Sequence, residues 1–194
     1  MTFRENFAAE QLFLKLAKEA REIDLLGNNA NLTNNEAMER SSIGIVACAF
    51  AMEALTNKFL KRIGGDAFFQ NERRSVEDKL RYLKKKINAP IDFGHEPWCN
   101  IREAAHARNW LAHYKFPNPA LIGSDGYVHE DRNNTDSPRN DEPFFLPQRT
   151  LTPSNVSKYY ESTLQGAKEI AMLLSAEDEF EFLWNENFEP FLYG

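Results

Sequence analysis

Cysteine is scarce in this sequence: only Cys48 and Cys99 occur in 194 residues. Both fall inside expected helices, so no disulfide framework is expected and a reducing cytoplasm suits the chain. Long apolar runs are missing too. The longest, Ile43 to Ala54, is broken by Glu53 and is shorter than the ~20 residues a bilayer needs. Met1-Thr2-Phe3-Arg4-Glu5 opens no apolar leader, so neither a signal peptide nor a membrane partner is expected. Phosphate-cradling glycine loops are absent. Gly64-Gly65 is not followed by Lys and Ser or Thr, and Gly123-Ser124-Asp125-Gly126 opens no helix. No Ser or Cys stands in a recognisable nucleophile context, and no internal repeat is present.

What is there is ordinary for a globular domain, with 42% hydrophobic and 27% charged residues. The net charge of −6 argues against indiscriminate nucleic-acid binding over the whole surface. The charge is unevenly spread, however. Residues 58–88 carry ten bases against four acids, whereas residues 176–194 carry six acids and no base. Two solvated faces would account for this. A basic flank that draws a phosphate backbone toward a nearby site is the sharper reading.

Hydrophobic spacing divides the chain into helices. Residues 6–26 place Phe7, Leu12, Phe13, Leu16, Ala20, Ile23 and Leu26 at helical intervals. A second helix should begin at Asn34 or Asn35 and run to Ile63, where Gly64-Gly65 stops it. Its centre is apolar nearly all round, which marks the innermost helix of a bundle, and Gly44 within it permits close packing. A connecting loop from Asp66 to Arg74 should tuck Phe68 and Phe69 against that bundle. Ser75 then caps a third helix with Val76, Leu80, Leu83 and Ile87 inward. Residues 117–152 form a long loop rich in Pro, Gly, Asn and Asp, a length usually tied to function or mobility. Within it, Gly126 to His129 and Phe144 to Leu146 are candidates for a short hairpin. Thr152-Pro153 opens a last long helix reaching Leu174, and 176–194 is an acidic, aromatic extension. The expected architecture is a single all-α domain over 1–194, an up-and-down bundle of four to five long helices.

One stretch organises the rest, Ile101 to Lys115. It lacks Gly and Pro and carries four Ala, so it reads as a helix from about Glu96 to before Pro117. At ~100° per residue, Arg102, His106, Asn109 and His113 line one narrow face. Ile101, Ala104, Ala105, Leu111 and Ala112 line the neighbouring apolar face. Arg108 falls inside that apolar sector, where a lone guanidinium is costly. Glu53 and Asn57, four residues apart on the inner helix, also point inward, and Glu53 is the natural partner for Arg108. Buried charge pairs add little net stability and cluster at functional positions, which favours a site over pure structure.

The run Arg108-Asn109-Trp110-Leu111-Ala112-His113, set late in a helical chain after a buried helix with an embedded Glu, resembles the Arg–four to six residues–His signature of HEPN domains. These are small helical bundles found in bacterial toxins, phage-defence proteins and RNA-processing factors. The resemblance implies a metal-independent endoribonuclease working as a homodimer, in which two copies of the motif build one cleft. Arg108 would stabilise charge on the phosphate, Asn109 position it and His113 transfer the proton, leaving a 2′,3′-cyclic phosphate. Arg102 and His106 are this sequence's own additions to the ridge, suited to gripping phosphate. An antitoxin or defence-system partner is also implied. The pattern departs from one toxin branch, which has Tyr two residues after the His. Here Tyr114 follows at once and Lys115 takes the later position, so regulation through that tyrosine is not expected.

Neither a metal nor a cofactor is expected. Cys99, His106 and His113 recur every seven residues, which on a helix separates them by ~10 Å, far beyond the ~2 Å ligand distances of one zinc ion. The rival reading is a non-catalytic module of the same shape that binds RNA or nucleotide, or serves as a scaffold. A bundle whose Arg108–Glu53 pair merely fixes register is the third.

Overall fold

The computed structural model describes residues 9–25, 34–112 and 151–185. Among them every regular element is helical: α1 (Ala9–Leu25), α2 (Asn34–Ile63), α3 (Gly65–Asn71), α4 (Val76–Ile87), α5 (Trp98–Ala112) and α6 (Pro153–Leu173), then a 3₁₀ turn at Glu181–Leu183. The protein is an all-α helical bundle, with five long helices among the described residues. The expected hairpin, the 117–150 part of the long loop, Phe7, Leu26 and the end of the acidic tail lie outside the described residues.

Local chemistry sets the boundaries. The Ser75 hydroxyl accepts a hydrogen bond from the Asp78 amide at 3.1 Å and opens α4. Asn88 closes that helix in the left-handed conformation, φ 53°. The Thr152 side chain accepts from the Asn155 amide ahead of Pro153 at the start of α6. α5 begins at Trp98, just past Pro97, slightly later than expected.

α2 is the axis of the bundle. It packs against α1, α3, α4, α5 and α6, and Ile45, Cys48, Met52, Leu55, Phe59 and Leu60 are sealed from solvent. Each such Leu or Phe contributes roughly 1.5–3 kcal/mol of transfer free energy. Contrary to the apolar-run argument, its Glu36–Ile63 segment is long and apolar enough to cross a membrane. Of the apolar window, 61% is buried against other helices, as befits a core helix. Burial at the centre of α2 pushes the Cys48 thiol up to about 12, and both cysteines are free.

Two glycines set how closely the helices approach. A Cβ on Gly44 would stand 2.7 Å from Val156 Cγ1 and 2.9 Å from Ala20 Cβ, so α1, α2 and α6 meet there. A Cβ on Gly166 would stand 2.7 Å from Ile101 Cδ1, and this seats α5 on α6. The polar pins are Asn100, whose amide donates to Ser162 Oγ at 2.8 Å, and Glu103, which accepts from Lys158 and Tyr159.

Three expectations are corrected. The 66–74 connection contains a short helix, α3, since Gly64 ends one helix without preventing the next. Phe68 packs on the core, but Phe69 is 74% exposed because nothing covers its side of α3 among the described residues. In α1 the buried positions are Glu10, Leu14, Ala17 and Ala20, while Leu16 is exposed. The inward stripe of α1 thus runs through Leu14, and the Glu10 carboxylate at its head is tied to Lys58 of α2.

Candidate functional site

Apart from Asn100 and Glu103, which face α6, α5 carries its polar residues on two flanks. The first faces α2. Arg108 Nη2 donates to Glu53 Oε2 at 2.5 Å, so the expected pair is present. The guanidinium also lies 5.1 Å from the centre of the Phe50 ring, one turn before Glu53. Its Nε is buried without a hydrogen-bond partner among the described residues, as is Asn57 Oδ1. Asn57 is half-buried one turn beyond Glu53 on α2.

A third charge, which the sequence reading counted merely as part of the basic run, completes this flank. Lys79 of α4 has no exposed surface, and its Nζ lies 3.4 Å from Glu53 Oε1. One carboxylate thus holds two cations from two helices, Lys79 on one oxygen and Arg108 on the other. Desolvating three charges costs several kcal/mol per ion unless they compensate one another. What this arrangement achieves is orientation. With 20% of its side chain exposed, Arg108 is fixed from beneath yet open at its edge.

Beside Arg108 an apolar groove of about 370 Å³ runs between α1, α2 and the end of α5. Phe13, Ile43, Val46, Phe50 and Leu111 line it, and Phe50 also carries the guanidinium. Ile43 is 60% exposed there.

The second flank of α5 faces α4 and solvent. Arg102, His106 and Asn109 lie along it as the wheel predicts, with His106 and Asn109 exposed. His106 Nε2 is 3.7 Å from Glu77 Oε2, and Glu77 also accepts from Arg81 at 2.5 Å. Arg102 sits 6.0 Å from the centre of the Phe93 ring, and Arg81 lies 4.9 Å from the same ring. The turn bearing Phe93 is held by Asp92, which accepts from the Gly94 amide at 2.9 Å and pairs with His95 Nδ1 at 2.8 Å. Those two bonds hold the Asp92 carboxyl below its usual range. Lys84 fastens the turn to α4 by donating to the Ile91 carbonyl at 2.7 Å.

The structure therefore unites Glu53 with Arg108 but does not unite Arg108 with Arg102, His106 and Asn109. At ~100° per residue, Arg108 and His106 diverge by ~160° around the helix. His113 lies outside the described residues together with Tyr114 and Lys115. Sequence reasoning missed Lys79, Arg81 and Phe93. For Lys79 a signal existed, since it falls within ~60° of both Val76 and Leu83 on the α4 wheel. For Phe93, in a non-helical turn, there was none. Among the described residues, no three His, Cys, Asp or Glu side chains gather closely enough to hold a metal ion.

No family model matches this chain, and neither does any curated protein or solved structure.

Proposed function

We propose that the protein is a metal-independent endoribonuclease of the HEPN type, built on an interior-anchored arginine. The observation that carries this reading is Arg108, held by Glu53 over Phe50, with Lys79 sealed behind the same carboxylate. A guanidinium fixed in this way stabilises the charge that grows on a phosphate during transfer without having to reorganise. In the reaction, a base removes the 2′-hydroxyl proton and the 2′-oxygen attacks the adjacent phosphorus. The 5′-oxygen then leaves with a proton from an acid, giving a 2′,3′-cyclic phosphate and a 5′-hydroxyl. His113 serves in proton transfer, the usual task of an imidazole near neutral pH, and Asn109 positions the phosphate.

Arg108 diverges from the ridge residues by ~100–160° around one helix, so a single copy does not aim them all at one phosphate. A homodimer does so by facing one copy's ridge toward the other's arginine. The exposed apolar groove next to Arg108 supplies a surface suited to such pairing. A toxin or phage-defence role, with an antitoxin or defence partner, belongs to the same reading.

The test is incubation of the purified protein with end-labelled RNA in EDTA. Cleavage with cyclic-phosphate ends, abolished in Arg108→Ala and His113→Ala while the circular dichroism spectrum is kept, is the expected result. Full activity in His113→Ala discards the mechanism. Binding without cleavage selects the second reading, a non-catalytic RNA- or nucleotide-binding module. The separation of Arg108 from the ridge within one chain favours that reading.

A further inference from the structure

We infer that the α4–α5 face around Phe93 is a binding track for unpaired RNA, separate from the Arg108 flank. This deepens the ribonuclease reading and rests on it for the choice of RNA as ligand. Three observations carry it. The first is the Phe93 ring, half-buried and held in its turn by Asp92, with guanidinium groups from Arg81 and Arg102 at 4.9 and 6.0 Å. Guanidinium groups laid over an aromatic ring present their own planes, together with the exposed part of the ring, as a surface on which nucleobases stack irrespective of sequence. The second is the charge alongside it. From Arg81 to Ile91 the chain contains four bases and no acid, and Lys85 follows Arg81 by one turn on the same exposed side of α4. Arg102 has no ion pair among the described residues, so its charge is available to a phosphate. The third is direction. From Arg102 the ridge continues through His106 to Asn109, a rise of ~10 Å along α5, and so leads from the stack toward the end of the helix that carries the motif.

The ligand must be single-stranded, because stacking on Phe93 needs an open base face that a duplex hides. Glu77 holds Arg81 and lies against His106 in the free protein, so those two side chains are already positioned, and Arg102 makes the new phosphate contact.

The probe is a fluorescent single-stranded RNA 12-mer methylated at every 2′-oxygen, which removes the attacking hydroxyl, so that binding is read without cleavage. Fluorescence anisotropy in EDTA should show wild-type binding that Phe93→Ala weakens about tenfold or more and Phe93→Tyr restores. Arg102→Ala should also weaken binding and reduce the dependence of log affinity on log salt by about 0.7, the loss of one phosphate contact on a single strand. Phe93→Ala should leave that slope unchanged. Equal affinity of both alanine variants and wild type overturns the track, as does wild-type protein that fails to bind or prefers a duplex. The ribonuclease reading fails separately. If unmodified RNA stays whole while the methylated strand binds through Phe93, the track stands and the enzyme falls. If RNA is cut and Phe93→Ala binds normally, the enzyme stands and the track falls.

Discussion

The two flanks of α5 carry similar residues under opposite conditions. On the α2 side Arg108 and Lys79 are held by one carboxylate inside the bundle. On the α4 side Arg102 and His106 lie against a ring and an ion pair at the surface. Inside, each charge is orientated by the others and removing one leaves the rest desolvated. Outside, water screens every pair and each contact is worth at most about 1 kcal/mol. The same helix therefore offers one rigid cation and, in Arg102, one adjustable one. A phosphoryl-transfer site needs the first for charge stabilisation and the second for capture.

The contrast breaks most clearly at Glu53. Glu53→Gln should cost about 3 kcal/mol in urea denaturation, since it leaves Lys79 and Arg108 facing each other without an anion. Lys79→Met, which keeps a neutral Glu53–Arg108 pair, should cost markedly less. An equal loss in the two variants would mean that the carboxylate is not shared. Next in size is Gly166→Ala, where the new methyl meets Ile101 and Trp98. It should destabilise by about 1–3 kcal/mol and shift Arg108 by lifting α5 from α6. A melting temperature at or above wild type would show that the seat has slack.

A third measurement uses pH. The Cys48 thiol is pushed from 9.0 up to about 12 by burial. Both states keep the proton below pH 9. Above it the unfolded chain releases the proton and the folded one does not, so stability should fall as pH rises from 9 toward 12. Cys48→Ala should flatten that decline relative to its own neutral value, and an unchanged slope assigns it to other groups. Smallest of all, Arg102→Ala and His106→Ala should each change stability by less than about 0.5 kcal/mol. A larger loss would make the outer flank structural.

How much of this was legible beforehand follows from the range of the interactions. Ser75, Thr152-Pro153 and the glycines after Ile63 act within one turn, so the sequence displays them and the helix ends follow. Glu53 and Arg108 were paired by exclusion, as the two charges left in apolar sectors. Lys79 was hidden because a lysine within a basic run looks solvated, and only the depth of α4 against α2 decides that it is not. Phe93 was hidden for another reason. It sits in a turn without periodicity, and its neighbours come from two helices far apart in the chain. The burial of Leu14 in place of Leu16 shows the same limit, since two apolar residues compete for the inward side of α1 and packing selects between them.

The sealed amine of Lys79 gives this bundle an internal clock. Amine-reactive reagents reach Lys85 and Lys86, which are exposed a turn or two further along the same helix, as soon as they are added. They reach Lys79 only when α4 lifts away from α2. The ratio of the two labelling rates, read by mass spectrometry, counts those openings one lysine against its neighbours, and it should rise sharply once Glu53 no longer holds the amine in place.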